Sequence, residues 1–520
     1  MMKIKILLLT LCINSALYAQ VPADLNINAN LTFNGEQSMA MHPNNPAHLV
    51  VAWMKYIFAP APAGMMIATS TSTNGGLTWS TPVNIPHFRP HWTSADPTLA
   101  FNTNGDIYLG YIDYKIQKDS GAVYVAKSTN GGTSWGTPSK VIDFFDNADL
   151  AIDRPWIAVD NSGGAYDGNV YCVTMSIKED PLPHHNYLMK STNGGNTWSA
   201  PLQIDVAIPG GPTVKPMGIP CVSKNGKLNI AYFSYNPPQS LLGRFICASS
   251  IDGGNSLSAA VIQTIGATPI TNDTLLQYSY HLAANPTNSN NLVFTYVDKS
   301  NNDYDINSAY SNDGGNSWSN AQRITNDLIN NGNNQDMCWA GFSSTGKYAG
   351  VWRDRRANSG AQNQPYKIWG SLSVDGGANF TPNFQVSQSD GPLMIPVDGN
   401  DFLGCVLNDT VVYSCWTDKR NGSTNQLYFN KYKMSQITGL AKNKLKEGII
   451  FPNPNNGEFT ILFEDHAERN IQIFDVNGKL VYAHKNQSDQ LKIKLKECKG
   501  NYFVKMESKG EIFTVNMLVE

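Results

Sequence analysis

One short phrase recurs six times along this chain of 520 residues and constrains its fold more than any other feature. Each copy begins with Ser, has Asn or Asp two residues later and then a Gly-Gly pair, and four of the six end in Trp. Consecutive copies start 56 to 63 residues apart. Such an even period is typical of a propeller or a solenoid, in which each repeat is one supersecondary unit. The copies are Ser72–Trp79, Ser128–Trp135, Ser191–Trp198, Ser250–Leu257, Ser311–Trp318 and Ser373–Phe380.

The residues around each copy predict four short strands per repeat. A hairpin precedes the phrase, for example Leu49–Trp53 with Met66–Ser70, and another apolar strand such as Pro155–Val159 lies upstream of the hairpin. Four strands of this kind match one propeller blade.

The hairpin occurs a seventh time without the phrase, at Val411–Trp416 and Leu427–Met434. Seven hairpins fill residues 21–435, so we favour seven blades, with six as the alternative. The N-terminal segment Leu25–Thr32 would supply the outer strand of the last blade and leave no free edge.

The phrase Ser-x-Asp/Asn-x-Gly-x-x-aromatic resembles the Asp-box, or BNR repeat, of sialidase-like β-propellers. The resemblance implies an all-β fold with the phrase in the turn between the third and fourth strands of each blade. There the Asn or Asp side chain would accept hydrogen bonds from backbone N–H groups, and Gly would supply positive φ. The final aromatic residue would pack between adjacent blades. We therefore expect the boxes to be structural rather than catalytic.

The two ends of the chain differ from the repeats. Residues 1–19 are expected to be a signal peptide, because Lys3 and Lys5 precede an apolar stretch and Leu17–Ala19 suits cleavage. After a linker at 436–448, residues 449–520 contain alternating strands around an Asn-Gly turn, which predicts a small β-sandwich. Its motifs, Phe451–Gly457, Ile471–Tyr482 and Gly500–Met506, resemble the type A C-terminal sorting domain of type IX secretion. That resemblance implies Sec export, then passage across the outer membrane to the cell surface by the type IX machinery.

Composition excludes several classes of partner and cofactor. The formal net charge is −3, which favours no binding to nucleic acid. No run after the signal reaches the roughly 18 to 20 apolar residues of a transmembrane segment. No Cys or His spacing resembles a zinc site, and each box has one carboxylate, so neither metal nor cofactor is expected. Seven cysteines follow the signal, and Cys405 and Cys415 are the best disulfide candidates because their strands should be neighbours.

Propeller ligands bind where the inner strands converge at one mouth of the central channel. Aligning the repeats places one residue immediately before each inner strand, and six of these seven residues are ionisable. Converging charges in a concave mouth need partners or a substrate, so ligand contact is an alternative to internal pairing. The ring is Glu36, Asp96, Arg154, Lys215, Ser279, Asp336 and Asp401.

A second ring is expected at the ends of the second strands, at Asp113, Asp298, Asp354 and Asp418. Arg356 and Arg420 each follow such an Asp by two residues. One interpretation is an Asp-capped turn with a local Arg partner. The other is a charged lining for a sugar.

The resemblance to sialidases implies three arginines that hold the substrate carboxylate, a Tyr nucleophile activated by Glu, and an Asp acid/base. The first arginine belongs to a motif before the first blade, where this chain has Asn34–Ser38 and no arginine. Tyr278 or Tyr280 lies near the predicted mouth. The candidate substrate-binding residues are Arg154, Lys215, Asp336, Arg353, Arg356 and Arg420.

Three functions follow as alternatives. The first is a glycan-directed surface protein, which would be an exo-sialidase-like glycoside hydrolase if active, with Glu36 and Asp401 or Asp96 as the catalytic carboxylates. The second is a non-catalytic adhesin that binds a glycan or glycoprotein. The third is a structural surface protein whose charged ring is paired internally.

Overall fold

The computed structural model describes residues 23–29, 32–57, 64–117, 120–143, 152–176, 183–211, 217–265, 280–357, 365–392, 402–422, 424–436, 449–451, 453, 455–463, 466–495, 499–508 and 511–519. The expected signal peptide and most of the expected linker lie outside these residues, and both stay predictions. The chain divides into two compact units, Met1–Tyr432 and Lys433–Glu520. Within the described residues, no helix is both long enough and apolar enough to cross a membrane.

The described part of the first unit contains seven four-stranded antiparallel sheets. The chain starts with β1 (Leu25–Asn26), which belongs to the last of these sheets. Sheet 1 is β2 (Asn34–Met41), β3 (Leu49–Ile57), β4 (Gly64–Ser72) and β5 (Val83–Asn84). Sheet 2 is β6 (Trp92–Phe101), β7 (Ile107–Lys115), β8 (Gly121–Ser128) and β9 (Ser139–Asp143). Sheet 3 is β10 (Asp153–Val159), β11 (Val170–Met175), β12 (Asn186–Ser191) and β13 (Leu202–Gln203).

The remaining sheets repeat the same order. Sheet 4 is β14 (Ile219–Val222), β15 (Leu228–Ser234), β16 (Arg244–Ser250) and β17 (Ser258–Thr264). Sheet 5 is β18 (Tyr280–Ala284), β19 (Leu292–Asp298), β20 (Asp305–Ser311) and β21 (Gln322–Arg323). Sheet 6 is β22 (Gln335–Phe342), β23 (Tyr348–Asp354), β24 (Lys367–Ser373) and β25 (Phe384–Gln385). Sheet 7 is β26 (Gly404–Leu407), β27 (Val411–Asp418) and β28 (Gln426–Lys433), with β1 as its outer strand.

The first strands of the sheets form a closed ring. Successive first strands contact each other from β2 through β6, β10, β14, β18 and β22 to β26, and β26 contacts β2 again. The expected all-β propeller is therefore confirmed. The described residues of this unit form seven such sheets, and the choice of seven blades over six stays a prediction.

The ring is closed by pairing the two ends of the first unit. Leu25 pairs with Phe429 and Asn26 with Tyr428 in antiparallel register, so β1 completes sheet 7 as the sequence predicted. An apolar cluster joins sheet 7 to sheet 1 across the closure, with Tyr413 and Phe429 packed against Leu49. Similar clusters lie between other neighbouring sheets, because both faces of each sheet are covered.

The Asp-box turns have the geometry that the sequence predicted. In the first box, Asn74 Oδ1 accepts hydrogen bonds from the backbone N–H groups of Leu77 and Thr78, at 3.1 and 3.0 Å. Gly75 and Gly76 have φ values of 65° and 74°. In the fourth box, hydrogen bonds from Ser256 hold the pKa of Asp252 below its usual value. The box carboxylates thus stabilise turns.

The aromatic residues of the boxes contact the preceding sheet. Trp135 Nε1 donates to Thr69 Oγ1 of sheet 1 at 3.0 Å, and Trp198 Nε1 donates to Ser139 Oγ of sheet 2 at 2.9 Å. The ring of Trp79 lies edge-on against Phe429 of sheet 7, with centroids 5.2 Å apart. The predicted packing between blades is confirmed for these boxes.

The expected pairing of Cys405 with Cys415 is wrong. Both cysteines are free thiols, although their strands are neighbours. Cys415 lies opposite Gly404 and Cys405 lies opposite Ser414, so the two side chains point to opposite faces of the sheet. Burial raises the pKa of Cys405 to about 12, as expected of a thiol that behaves as a small hydrophobic side chain.

The second unit contains two sheets around one core. One sheet has the order β29 (Ile449–Phe451), β30 (Glu458–Leu462) and β33 (Gln490–Lys494). The other has the order β32 (Leu480–Asn486), β31 (Arg469–Asp475), β34 (Gly500–Ser508) and β35 (Glu511–Val519). Ile461, Ile473 and Val504 are fully buried in the shared core. The expected small β-sandwich is therefore observed.

Candidate functional site

Four inner strands of the described residues carry a bulge at the same place. The register shifts after Gly35 in β2, after Ala95 in β6, after Asp153 in β10 and after Asp336 in β22. The residue that follows each shift has positive φ, at 49° for Glu36, 54° for Asp96, 52° for Arg154 and 56° for Met337. Non-glycine residues in this region cost about 1 to 3 kcal/mol each, and such strain clusters at functional sites.

Three of these four residues are charged, and we call Glu36, Asp96 and Arg154 the charged arc. Asp96 N–H donates to Glu36 Oε2 at 3.3 Å, and Arg154 N–H donates to Asp96 Oδ2 at 3.2 Å. Each carboxylate therefore bridges to the same position of the next sheet. Asp96 and Arg154 are more than nine-tenths buried, whereas Glu36 is half-buried. The charged arc forms one continuous edge across sheets 1 to 3.

Aromatic rings meet at the axis beside the charged arc. Trp156 of sheet 3 lies 5.1 Å from Trp339 of sheet 6 and 5.4 Å from Phe402, which precedes sheet 7, between ring centroids. Sheet 3 is a neighbour of neither sheet 6 nor sheet 7, so the contacts cross the axis. The Arg154 guanidinium lies 5.4 Å from the centroid of Phe402. We call Trp156, Trp339 and Phe402 the aromatic floor.

The bulges correct the membership of the predicted ring. In sheet 6, Met337 has the positive φ and occupies the position of Glu36, whereas the sequence alignment placed Asp336 there. In sheet 7, Gly404 pairs with Cys415, which corresponds to the pairing of Trp339 with Val351 in sheet 6. Phe402 precedes Gly404 by two residues, as Met337 precedes Trp339, so Phe402 holds the ring position of sheet 7. A shift of one residue in strand register thus replaces a charged side chain at the ring position by an apolar one. Among the described residues, the ring positions are charged in sheets 1 to 3 and apolar in sheets 6 and 7.

Asp336 instead belongs to a buried cluster with two arginines. Arg353 Nε and Nη2 donate to its two oxygens at 2.6 and 2.9 Å, and Arg355 Nη2 donates to Oδ2 at 3.1 Å. Burial opposes ionisation of Asp336, but the two guanidinium groups hold its pKa below the usual value. Both guanidinium groups lie over the ring of Tyr366, at 5.2 and 5.8 Å. All three side chains are at least 98% buried.

The second ring has local partners. Arg356 donates to both oxygens of Asp354, and Trp352 Nε1 donates to Oδ2 at 2.9 Å. Sheet 7 repeats this arrangement, with Arg420 donating to Asp418. This geometry corresponds to the capped turn with a local Arg partner. A sugar-binding role for Arg356 and Arg420 stays a prediction.

Two of the described tyrosines, Tyr280 and Tyr366, donate their hydroxyl groups to backbone oxygens. Tyr280 donates its hydroxyl to the backbone oxygen of Met217, and Tyr366 donates to the backbone oxygen of Thr417 at 3.1 Å. Burial raises the pKa of both tyrosines, which makes the phenolate harder to form. Tyr278, Ser279, Lys215 and Asp401 lie outside the described residues.

The repeat pattern predicted neither the aromatic floor nor His281. Trp156 and Trp339 stand two residues after the ring position on inner strands, where alternating apolar residues also indicate ordinary core packing. His281 occupies the same level in sheet 5 and lies 5.3 Å from Trp339 between ring centroids. The signal available in the sequence was an aromatic residue or His at one repeat position on three of the inner strands.

The C-terminal unit matches a known family. Residues 449–520 match the family model described as "Secretion system C-terminal sorting domain". The C-terminal unit is a type IX secretion sorting domain. The protein that carries it is exported across the outer membrane to the cell surface or the extracellular space. No curated protein matches the chain.

Several solved structures are similar to this chain. A protein of unknown function from Dyadobacter fermentans is 18% identical over 68% of this chain and 98% of its own, with a TM-score of 0.45. The Hadza microbial sialidase Hz136 is 12% identical over 74% of this chain and 76% of its own, with a TM-score of 0.42. An α-L-arabinanase from Penicillium chrysogenum is 11% identical over 80% of this chain and 99% of its own, with a TM-score of 0.45.

Proposed function

We propose that this exported protein binds a glycan at the mouth of its ring of sheets, between the charged arc and the aromatic floor. The observation that carries the proposal is the contact of Arg154 with Phe402, whose ring in turn packs with Trp156 and Trp339 at the axis. A sugar has hydroxyl groups at its edges and C–H groups on its faces. A site that combines charged hydrogen-bonding groups with aromatic rings complements both.

The geometry of the carboxylates favours binding over hydrolysis. Glycoside hydrolysis needs one protonated carboxyl group and a second carboxylate that flank the bond. Glu36 and Asp96 each use one oxygen to accept a backbone N–H from the next sheet. They are thereby held as fixed acceptors in the ring. The glycan or glycoprotein that reaches them would be met outside the cell.

A glycan array probed with the full mature chain tests this proposal. We expect Arg154→Gln to weaken binding to any glycan that the array identifies by at least tenfold, about 1.4 kcal/mol, because a charged hydrogen bond is lost. The control is Lys140→Gln, which removes an exposed cation paired with Asp143. An array without bound glycans, or equal binding by both variants, would contradict the proposal.

Hydrolysis in the sialidase manner is the second candidate. Glu36 Oε2 lies 3.3 Å from the backbone nitrogen of Asp96, so two residues with carboxylate side chains are adjacent. Its test is fluorophore release from an aryl α-sialoside by the mature chain and by Glu36→Gln. Turnover that the variant loses would establish a hydrolase. Absence of turnover in the unmodified chain would leave the binding proposal as it stands.

A further inference from the structure

The buried carboxylate of Asp303 has an incomplete set of partners among the described residues. It lies in the turn between β19 and β20 and is 98% buried. Its Oδ2 accepts the backbone N–H groups of Asn331 and Gly332 at 2.9 and 3.2 Å, and its Oδ1 has no hydrogen-bond partner in the described part of the chain. No ion pair to Asp303 occurs within these residues either. A buried carboxylate is normally paired or coordinated to a metal ion, because an uncompensated charge is costly to bury.

The neighbouring cations are already engaged. Arg323 Nη2 pairs with Asp305 at 2.7 Å and with Asp327 at 2.8 Å. Lys299 places its ammonium group 5.2 Å from the centroid of the Tyr304 ring. The two other carboxylates of this region thus have their charge balanced by one arginine, and Asp303 does not share it.

Two further oxygen atoms without partners lie in the segment that holds Asp303. Asn333 Oδ1 and Gln335 Oε1 are buried and accept no hydrogen bond among the described residues. Gln335 Nε2 donates to the backbone oxygen of Asn333 at 2.8 Å and to Asp327 Oδ2 at 3.1 Å, which fixes the amide group within this segment. Gln335 is fully buried. Asp303 Oδ2 binds the backbone of Asn331 and Gly332, so the three oxygens without partners belong to this segment and to the side chain held against it.

We infer that Asp303, Asn333 and Gln335 bind a calcium ion through these side-chain oxygens. A cation would satisfy all three acceptors and balance the carboxylate. Calcium prefers carboxylate, amide and water oxygens in flexible geometry, whereas magnesium demands a near-ideal octahedron. No group of three or more His, Cys, Asp or Glu side chains in the described residues is arranged to hold a metal, so this site depends on amide oxygens.

The bound ion would link two sheets near the mouth. Asp303 belongs to sheet 5, whereas Gln335 begins β22 of sheet 6, directly before Asp336 and Met337. A site with one carboxylate is expected to be weak, with a dissociation constant of about 0.1 to 1 mM, as in extracellular calcium modules. An exported protein meets calcium at such concentrations. The ion would thus stabilise the start of β22 once the chain is outside the cell.

Thermal unfolding of the full mature chain with CaCl2 or with EDTA tests the site. Tryptophan fluorescence reports on the first unit alone, because all 11 tryptophans lie between residues 53 and 416. We expect calcium to raise the Tm by about 2 °C and magnesium to raise it less. In Asp303→Asn, calcium should no longer raise the Tm. The Tm of this variant in EDTA should equal or exceed that of the unmodified chain, because the lone buried charge is gone.

The matched control is Asp205→Asn, which removes a buried carboxylate whose two oxygens accept hydrogen bonds from His185, Gln203 and Gly210. It should lower the Tm equally with and without calcium. Asn333→Ala should leave the Tm in EDTA almost unchanged and shift the calcium midpoint several-fold upward. Direct binding is measured as terbium luminescence that calcium displaces. Failure of calcium to change the Tm, or an unchanged increment in Asp303→Asn, would overturn the inference.

Discussion

At the scale of single residues, the axis of the ring holds a histidine in an unusual state. His281 Nδ1 is buried and has no hydrogen-bond partner within the described residues. Burial lowers the pKa of His281 to about 4, so the side chain is neutral at neutral pH. Its ring packs against Trp339 of the aromatic floor. His281 therefore packs at the axis in its neutral form.

This environment predicts a pH dependence of stability. Between pH 6.5 and about 4 the unfolded chain binds a proton at His281 that the folded chain does not. The free energy of unfolding should therefore fall by about 3 kcal/mol as the pH drops through this range. His281→Leu should remove most of this slope, measured by urea unfolding followed through tryptophan fluorescence. An unchanged slope would show that other groups, such as His42, dominate the titration.

At the scale of elements, five of the six Asp-boxes also connect one sheet to the next. In five boxes a side chain of the preceding sheet donates a hydrogen bond to the backbone oxygen of the first glycine. The donors and acceptors are Lys431 to Gly75, His48 to Gly131, Lys190 to Gly253, Lys227 to Gly314 and Asn291 to Gly376. The box therefore sets the spacing between sheets as well as the turn within one sheet.

A substitution of the second glycine of the box is expected to lower stability for two reasons, the positive φ of the backbone and the close packing around its Cα. A Cβ at Gly377 would lie 2.7 Å from Val293 Cγ2 of sheet 5, and φ is +91° there. Gly163 has φ +74° with nothing within 4 Å of a Cβ, so it isolates the backbone term. Gly163→Ala should cost about 1 kcal/mol of unfolding free energy, and Gly377→Ala about 1 to 3 kcal/mol more. Urea unfolding checks both, and equal losses would contradict the packing argument.

At the scale of the whole ring, Asp24 fastens the N-terminal strand. Its carboxylate accepts hydrogen bonds from Arg420, from the backbone N–H groups of Gln388 and Ser389, and from Asn430 Nδ2. The strand β1 itself has only two residues, so these contacts supply much of the closure. Cleavage after Ala19, as expected from the sequence, would leave Asp24 close to the new N-terminus.

Asp24→Asn is expected to lower the free energy of unfolding by about 2 kcal/mol, because charged hydrogen bonds in a buried position are lost. The control is Asp106→Asn, which breaks the partly exposed pair with Lys127 and should cost less than about 1 kcal/mol. Both variants are compared by urea unfolding. Equal effects would indicate that the closure depends on β1 pairing and not on Asp24.

The sequence by itself determined the architecture of this protein. Repeated turns such as Ser72–Trp79 depend on contacts between residues two to four apart, so the local pattern fixes them wherever they occur. Their even spacing predicted the four-stranded units. The last hairpin has no Asp-box and no outer strand after it, which predicted that β1 would supply that strand. The motifs of residues 449–520 identified the sorting domain in the same way.

The tertiary structure decided which residues meet at the axis. A bulge adds one residue to an inner strand, and the alignment of repeats does not reveal on which side of it a charge falls. The bulge therefore directs the Asp336 side chain to a buried ion pair with Arg353, while Met337 occupies the ring position. Asp303 likewise accepts hydrogen bonds from the backbone of Asn331 and Gly332, 28 and 29 positions later in the sequence, which only tertiary packing brings to it. Side-chain direction in a strand reverses with each residue, so the site depends on register, which long-range packing sets.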